Sequence, residues 1–209
     1  MRAGSAGMSG ARRIVLALAL AWCGGVQAET QVYLLRGWFG VFSTGMDAVA
    51  ETLQARGVKA EAIGHLAWKS AVQKILKERE AGRVGPVVLV GHSQGGNNVI
   101  DMARELAPHK VRVDLLITLA PFLQDAVPPN VARAVNYYQS PGWGTALVAE
   151  PGFNGELANI DVQDSGTFHV NIDKNRKVQA EIVASIVALT GRARAEKAEP
   201  SAAPAAAKP

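Results

Sequence analysis

The 209-residue sequence predicts an α/β fold: one domain, a mainly parallel sheet, and helices on both of its faces. Three observations predict it. Strand-length apolar runs alternate with helical stripes, leaving no room for hairpins until late in the chain. The apolar run Val87-Val88-Leu89-Val90 passes directly into Gly91-His92-Ser93-Gln94-Gly95-Gly96 and then into a helical pattern, a strand–tight turn–helix unit. The one cysteine, Cys23, lies in an N-terminal leader, so the remaining chain must be held by an ordinary apolar core.

The elements follow in order. Gln31 to Leu35 reads as a buried strand, followed by the glycine-punctuated loop Arg36-Gly37-Trp38-Phe39-Gly40. Met46, Val49, Ala50 and Leu53 recur at helical spacing, Gly57 is placed to end that helix, and Val58 to Ile63 reads as the second strand. Trp68, Ala71, Val72, Ile75 and Leu76 form the next stripe, separated by Gly82 and Gly85-Pro86 from the strand at Val87. After Ser93, Val99, Ile100, Ala103 and Leu106 give a helix its apolar face, and Pro108 ends it. Val111 to Leu119 is β-like and stops at Pro121. Val131 to Tyr138 is another strand, and Ala158 to Val162 a weaker one beyond the Gly/Pro-rich stretch from Ser140 to Gly155. Asp173 is placed to cap a last helix with the stripe Val178, Ile182, Ile186 and Leu189.

The two ends read differently from the middle. Residues 1–28 have the pattern of a secretory signal peptide. Arg2, Arg12 and Arg13 precede the apolar run Ile14 to Trp22, and Val26-Gln27-Ala28 offers small residues for cleavage before Glu29. The flanks of Arg12-Arg13 fit a twin-arginine signal poorly, and Trp22 is too bulky for a lipoprotein box. The sequence implies a periplasmic or secreted protein without a stable membrane span once the leader is removed. Residues 191–209, rich in Ala, Pro, Lys and Glu, are expected to be disordered. The pI of 9.4 belongs to these ends: of the net +4, the leader carries +3 and the tail +2, leaving residues 29–190 near −1. Nucleic acid is thereby excluded as a partner.

The glycine-flanked turn carries the chemistry. Gly91 and Gly95 allow a sharp turn, so Ser93 can take a strained conformation at the start of a helix. The amide of Gln94 then points where negative charge would develop. A serine needs a base, and histidine has the suitable pKa. His92 adjoins Ser93 and is expected to pack, His109 falls in a helix-ending turn, and His65 follows the second strand. His169, in the loop before the last helix, is the expected base. The four histidines are dispersed without metal-binding spacing, and the glycines lack dinucleotide-binding spacing, so neither metal nor cofactor is expected.

With the order strand–Gly-His-Ser-Gln-Gly–helix and a late His169, the chain from Gln31 to Leu189 resembles the α/β-hydrolase superfamily, as a small lipase- or esterase-like member without the usual extra N-terminal strands. The resemblance implies a serine hydrolase acting on a small-molecule ester or lipid, with an oxyanion hole formed by the N–H groups of Trp38 and Gln94. It also implies an acid after a late strand. Some lipase-like relatives read Leu-Asp-Pro where this chain has Leu119-Ala120-Pro121. Asp125 is the expected substitute, with Asp161 and Asp164 as alternatives. Trp38, Phe39, Phe42, Trp143 and Phe153 are expected near the mouth, where they suit an apolar substrate. The missing acid at Ala120 motivates a second reading, a catalytically weakened protein of this fold that binds a lipid or protein partner.

Overall fold

The computed structural model describes residues 29–38, 40, 43–83, 85–142, 144–163 and 166–198. The leader, Phe39, Phe42, Trp143, Asp164 and the tail from 199 lie outside the described residues. Strand β1 (Gln31–Arg36) is followed by α1 (Gly45–Gln54) and β2 (Ala60–Gly64), then by α2 (Trp68–Glu80) and β3 (Val87–His92). Helix α3 (Gln94–Leu106) leads to β4 (Leu115–Leu119) and the short β5 (Ala126–Val127). Then come β6 (Arg133–Tyr138), the equally short β7 (Val148–Ala149), β8 (Glu156–Asp161) and α4 (Arg176–Ala198). Six strands form one sheet in the order β2-β1-β3-β4-β6-β8, with every pair parallel. The short β5 and β7 pair with each other, also parallel.

Because side chains alternate across a strand, each strand feeds two cores. Val32, Leu34, Val88, Val90, Ile117 and Leu119 face α1 and α4. Tyr33, Leu35, Val87, Leu89 and Leu116 face α2 and α3. Fully burying one such side chain stabilises the fold by about 1.5–3 kcal/mol. Strand β3 is central and buried at every position, which is why it reads as a continuous apolar run.

The strand order reverses at the middle of the sheet. From β1 the chain crosses to β2 on one side, whereas from β3 it crosses to β4 on the other. The loops leaving β1 and β3 therefore part, opening a crevice at the carboxyl ends of the two strands. Ser93 and the Gly37 loop lie there.

Three expectations need correction. Val58, Val111 and Val113 are buried, but β2 and β4 start later than their apolar patterns, with Val113 making only a single bridge to Val131. Asp173 does not cap the last helix. It sits in a 3-10 turn (Ile172–Lys174), and Asn175 caps α4 instead, its Oδ1 accepting from the N–H groups of Lys177 (2.9 Å) and Val178 (3.2 Å). The last helix does not stop at Thr190 but runs to Ala198, because beyond Gly191 the segment consists of Arg, Ala, Glu and Lys, which are strong helix formers. Arg194 there donates to the Gly57 carbonyl at 2.9 Å.

Candidate active site

Ser93 occupies the turn between β3 and α3 with φ 57° and ψ −124°, a conformation that L-residues rarely adopt. Its neighbours make the turn possible. A Cβ on Gly91 would stand 2.1 Å from the Gly95 carbonyl oxygen, and one on Gly95 would stand 2.4 Å from the Leu35 carbonyl oxygen. Only glycine permits both approaches. The turn is fastened by hydrogen bonds from Ser93 N to Leu119 O (2.9 Å) and from Gly96 N to Ser93 O (2.8 Å). Gln94 opens α3, so its N–H has no intrahelical acceptor and the positive end of the helix dipole lies beside Ser93.

His169, from the loop after β8, stands beside Ser93. Its Nε2 lies 2.9 Å from Ser93 Oγ. With the serine hydroxyl donating, Nε2 is the acceptor and the imidazole proton resides on Nδ1. Burial first, and the nearby His92 second, lower the pKa of His169 to about 4, with the Asp173 carboxylate opposing the shift. At neutral pH the ring is therefore uncharged and ready to take a proton.

The Gly37 loop is also adjacent to the serine. A Cβ on Gly37 would stand 2.9 Å from Ser93 Cβ, so the backbone leading into Trp38 runs against Ser93. The Trp38 side chain is about half exposed and stacks in a tilted arrangement on Phe122, with ring centroids 5.4 Å apart. Leu123, Phe168 and Val170 are exposed on the loops that follow β4 and flank His169. Phe153 is not at this mouth. It precedes β8 and packs on the core beneath α2 and α3.

Asp125 is not placed to orient His169. Its Oδ1 accepts from Arg104 Nη2 (2.6 Å) and from the Ala126 N–H (2.9 Å), and Arg104 also pairs with Glu150 at 2.8 Å. Arg104 lies in the last turn of α3, roughly 15 Å along the helix from the end that meets Ser93. Asp161 is the last residue of β8, its Oδ1 accepting from the N–H groups of Gln163 (3.0 Å) and Ser140 (3.3 Å). Position 120 could not hold a carboxylate without rearrangement. Ala120 is fully buried, and the Gly144 backbone packs so closely that a Cβ there would lie 2.8 Å from Ala120 Cα.

Three residues join the site without having been anticipated in these roles. Asp173 is fully buried, four residues beyond His169. Its Oδ2 accepts from Gly45 N–H at 2.8 Å, at the N-terminus of α1, while Oδ1 makes no hydrogen bond among the described residues. Burial raises its pKa, against the opposing effects of the Gly45 bond and Lys174. Ser43 and His92 are almost fully buried and bonded to each other, Ser43 Oγ to His92 Nδ1 at 2.8 Å. His92 was readable as a packed residue from its place beside Ser93; nothing in the sequence near Ser43 or Asp173 announces their partners.

The chain is thus an α/β fold whose parallel six-stranded sheet carries a serine on the turn after β3 and a histidine in the loop after β8. Among solved structures, the chain is similar to one described with LipS and LipT, two metagenome-derived lipolytic enzymes, at 12% identity and TM-score 0.52 over 79% of this chain and 95% of that one. It is also similar to the NocB thioesterase domain from the nocardicin cluster (14% identity, TM-score 0.46, 79% and 95% covered). A third similar structure is described as an alpha/beta superfamily hydrolase from Xanthomonas campestris pv. campestris (20% identity, TM-score 0.39, 74% and 98% covered). At such identities the likeness concerns the fold. No protein-family model and no curated protein matches the sequence. Among the described residues no helix is long and apolar enough to cross a membrane, and no group of three metal-ligating side chains occurs.

Proposed function

We propose that the protein is an exported serine hydrolase that cleaves carboxylic esters through an acyl-enzyme on Ser93. The observation that carries this reading is the 2.9 Å contact between Ser93 Oγ and His169 Nε2, made on a strained turn at the N-terminus of α3. Ser93 Oγ attacks the ester carbonyl carbon while its proton passes to His169 Nε2. The developing oxyanion is met by the N–H groups of Gln94 and Trp38, and loss of one such donor costs about 3–4 kcal/mol of barrier. The tetrahedral adduct collapses as the imidazolium gives its proton to the leaving alkoxide. Water, deprotonated by the same histidine, then releases the carboxylic acid and restores the serine.

The exposed apolar side chains of Trp38, Phe122, Leu123, Phe168 and Val170 support an apolar acyl or alcohol group on the substrate. Export rests on the leader sequence. The acid lies between two residues: Asp164, the remaining sequence-based choice, and Asp173, whose buried charge acts on His169. Asn substitution at each assigns the role to the one that loses more than about tenfold in ester turnover. The reading as a whole is tested with p-nitrophenyl esters of increasing acyl length. Turnover by the wild type and none by Ser93→Ala supports it; a folded wild type inactive on the whole series contradicts it.

A further inference from the structure

The two halves of the site, the loop that presents the Trp38 amide and the loop that presents His169, come from opposite ends of the chain. A buried line of hydrogen bonds joins them through the residue beside the nucleophile. Gly37 N–H donates to Ser43 Oγ at 3.0 Å. Ser43 Oγ lies 2.8 Å from His92 Nδ1, and His92 Nε2 lies 2.7 Å from the backbone carbonyl oxygen of His169. The imidazoles of His92 and His169 are 5.3 Å apart at 40°.

The chemistry of the partners fixes the direction of every bond. A carbonyl only accepts, so His92 Nε2 must carry the proton. In the neutral ring Nδ1 is then an acceptor, and the Ser43 hydroxyl donates to it. That leaves a lone pair of Ser43 Oγ for the Gly37 N–H. Burial, reinforced by the positive charge of Lys174, favours this neutral ring, against the opposing pull of the His169 carbonyl. Each donor and acceptor at the three joints is used once, and Ser43 and His92 are 1% and 2% exposed, so water does not compete.

We infer that His92 and Ser43 are positioning residues: they set the backbone of His169 and the oxyanion loop relative to Ser93, so that base and oxyanion donors are held in one register. This rests on the reading of Ser93 as nucleophile and His169 as base. Neither residue touches the reacting atoms. Their effect is geometric, and misplacement of a reacting group by about 1 Å can cost on the order of a hundredfold in rate.

The test uses Ser43→Ala, Ser43→Thr and His92→Gln, with imidazole ¹⁵N spectra of histidine-labelled protein and the rate of Ser93 phosphonylation by a fluorophosphonate. The wild type should show His92 as the neutral Nε2–H tautomer. Ser43→Ala removes a single buried oxygen. It should slow phosphonylation roughly tenfold or more and shift the His169 Nε2 resonance, with Ser43→Thr restoring both. His92→Gln keeps an amide N–H in reach of the His169 carbonyl but loses the ring acceptor, so it should be slowed as Ser43→Ala is. A His92 found as the Nδ1–H tautomer overturns the proposal, as does a Ser43→Ala protein labelled within about twofold of wild type. Ser43→Ala decides the question even if His92→Gln does not fold. An unlabelled wild type, with the His92 tautomer as described, overturns the nucleophile reading together with this role. Normal labelling untouched by Ser43→Ala overturns this role alone.

Discussion

At the turn after β3, five consecutive residues fix the position of Ser93. Gly91 and Gly95 let three backbone segments meet, and the helix that follows begins at once. The loop after β8 has no such local device. His169 is held by groups from elsewhere: His92 on its carbonyl, Gly45 N–H on Asp173 Oδ2, and Gln179 Nε2 on Asp173 O at 2.7 Å. Nearer by, Asn171 Oδ1 accepts from Phe168 N–H and Asn175 Nδ2 donates to Thr167 Oγ1. One half of the pair is set by steric exclusion inside a short motif, and the other by hydrogen bonds spanning up to 128 positions of sequence. The first should be intolerant of any added atom, and the second should yield one bond at a time.

Removing the reacting atoms gives the largest effect. Ser93→Ala and His169→Ala should each lower ester kcat by roughly 10⁶-fold if the pair acts as a unit, measured on folded protein. Crowding the turn comes next. Gly91→Ala would drive a methyl into the Gly95 carbonyl, so it should lose about 3 kcal/mol or more of unfolding free energy and its activity with it, read by urea denaturation.

The base loop should respond more gently. Asp173→Ala strands the Gly45 N–H in a buried place and should cost about 1–3 kcal/mol. Asp173→Asn keeps an acceptor and should cost less. The same substitution should shift the acid limb of kcat/KM to lower pH, because the carboxylate now raises the pKa of His169. In the wild type that limb should lie near pH 4, with rate rising as the base loses its proton. Stability has the same sign. Both His92 and His169 are held below the ordinary histidine value, so the unfolded chain takes up their protons first. The contribution of His169 is complete above about pH 6.5 and is lost as pH falls toward 4, at about 1.4 kcal/mol per pH unit, and His92 adds a loss of the same sign. The smallest effect belongs to Asp125→Asn. It loosens the Arg104 pair by about 1 kcal/mol or less and should leave kcat within about twofold, measured beside the wild type.

The same contrast explains what could be read from the chain before its structure. Strands and helices were legible because apolar periodicity records which face is buried, and β3 showed itself as an unbroken run. Ser93 was legible because the turn needs its glycines within two residues of the serine. His169 was legible from order along the chain. Asp125 was misread because proximity in sequence to the end of β4 says nothing about Arg104, which reaches it from the remote end of α3. Asp173 was read as a local cap, yet its partner is the first turn of α1. The end of α4 was set too early because the segment after Thr190 has no apolar face, although its residues favour helix.

The most direct measurement of the central claim is mass-spectrometric mapping of the protein after treatment with a fluorophosphonate. A single adduct on Ser93, absent in Ser93→Ala and slowed by orders of magnitude in His169→Ala, is the result the geometry predicts. A correctly folded wild type without an adduct on Ser93, or one labelled equally fast without His169, would contradict it.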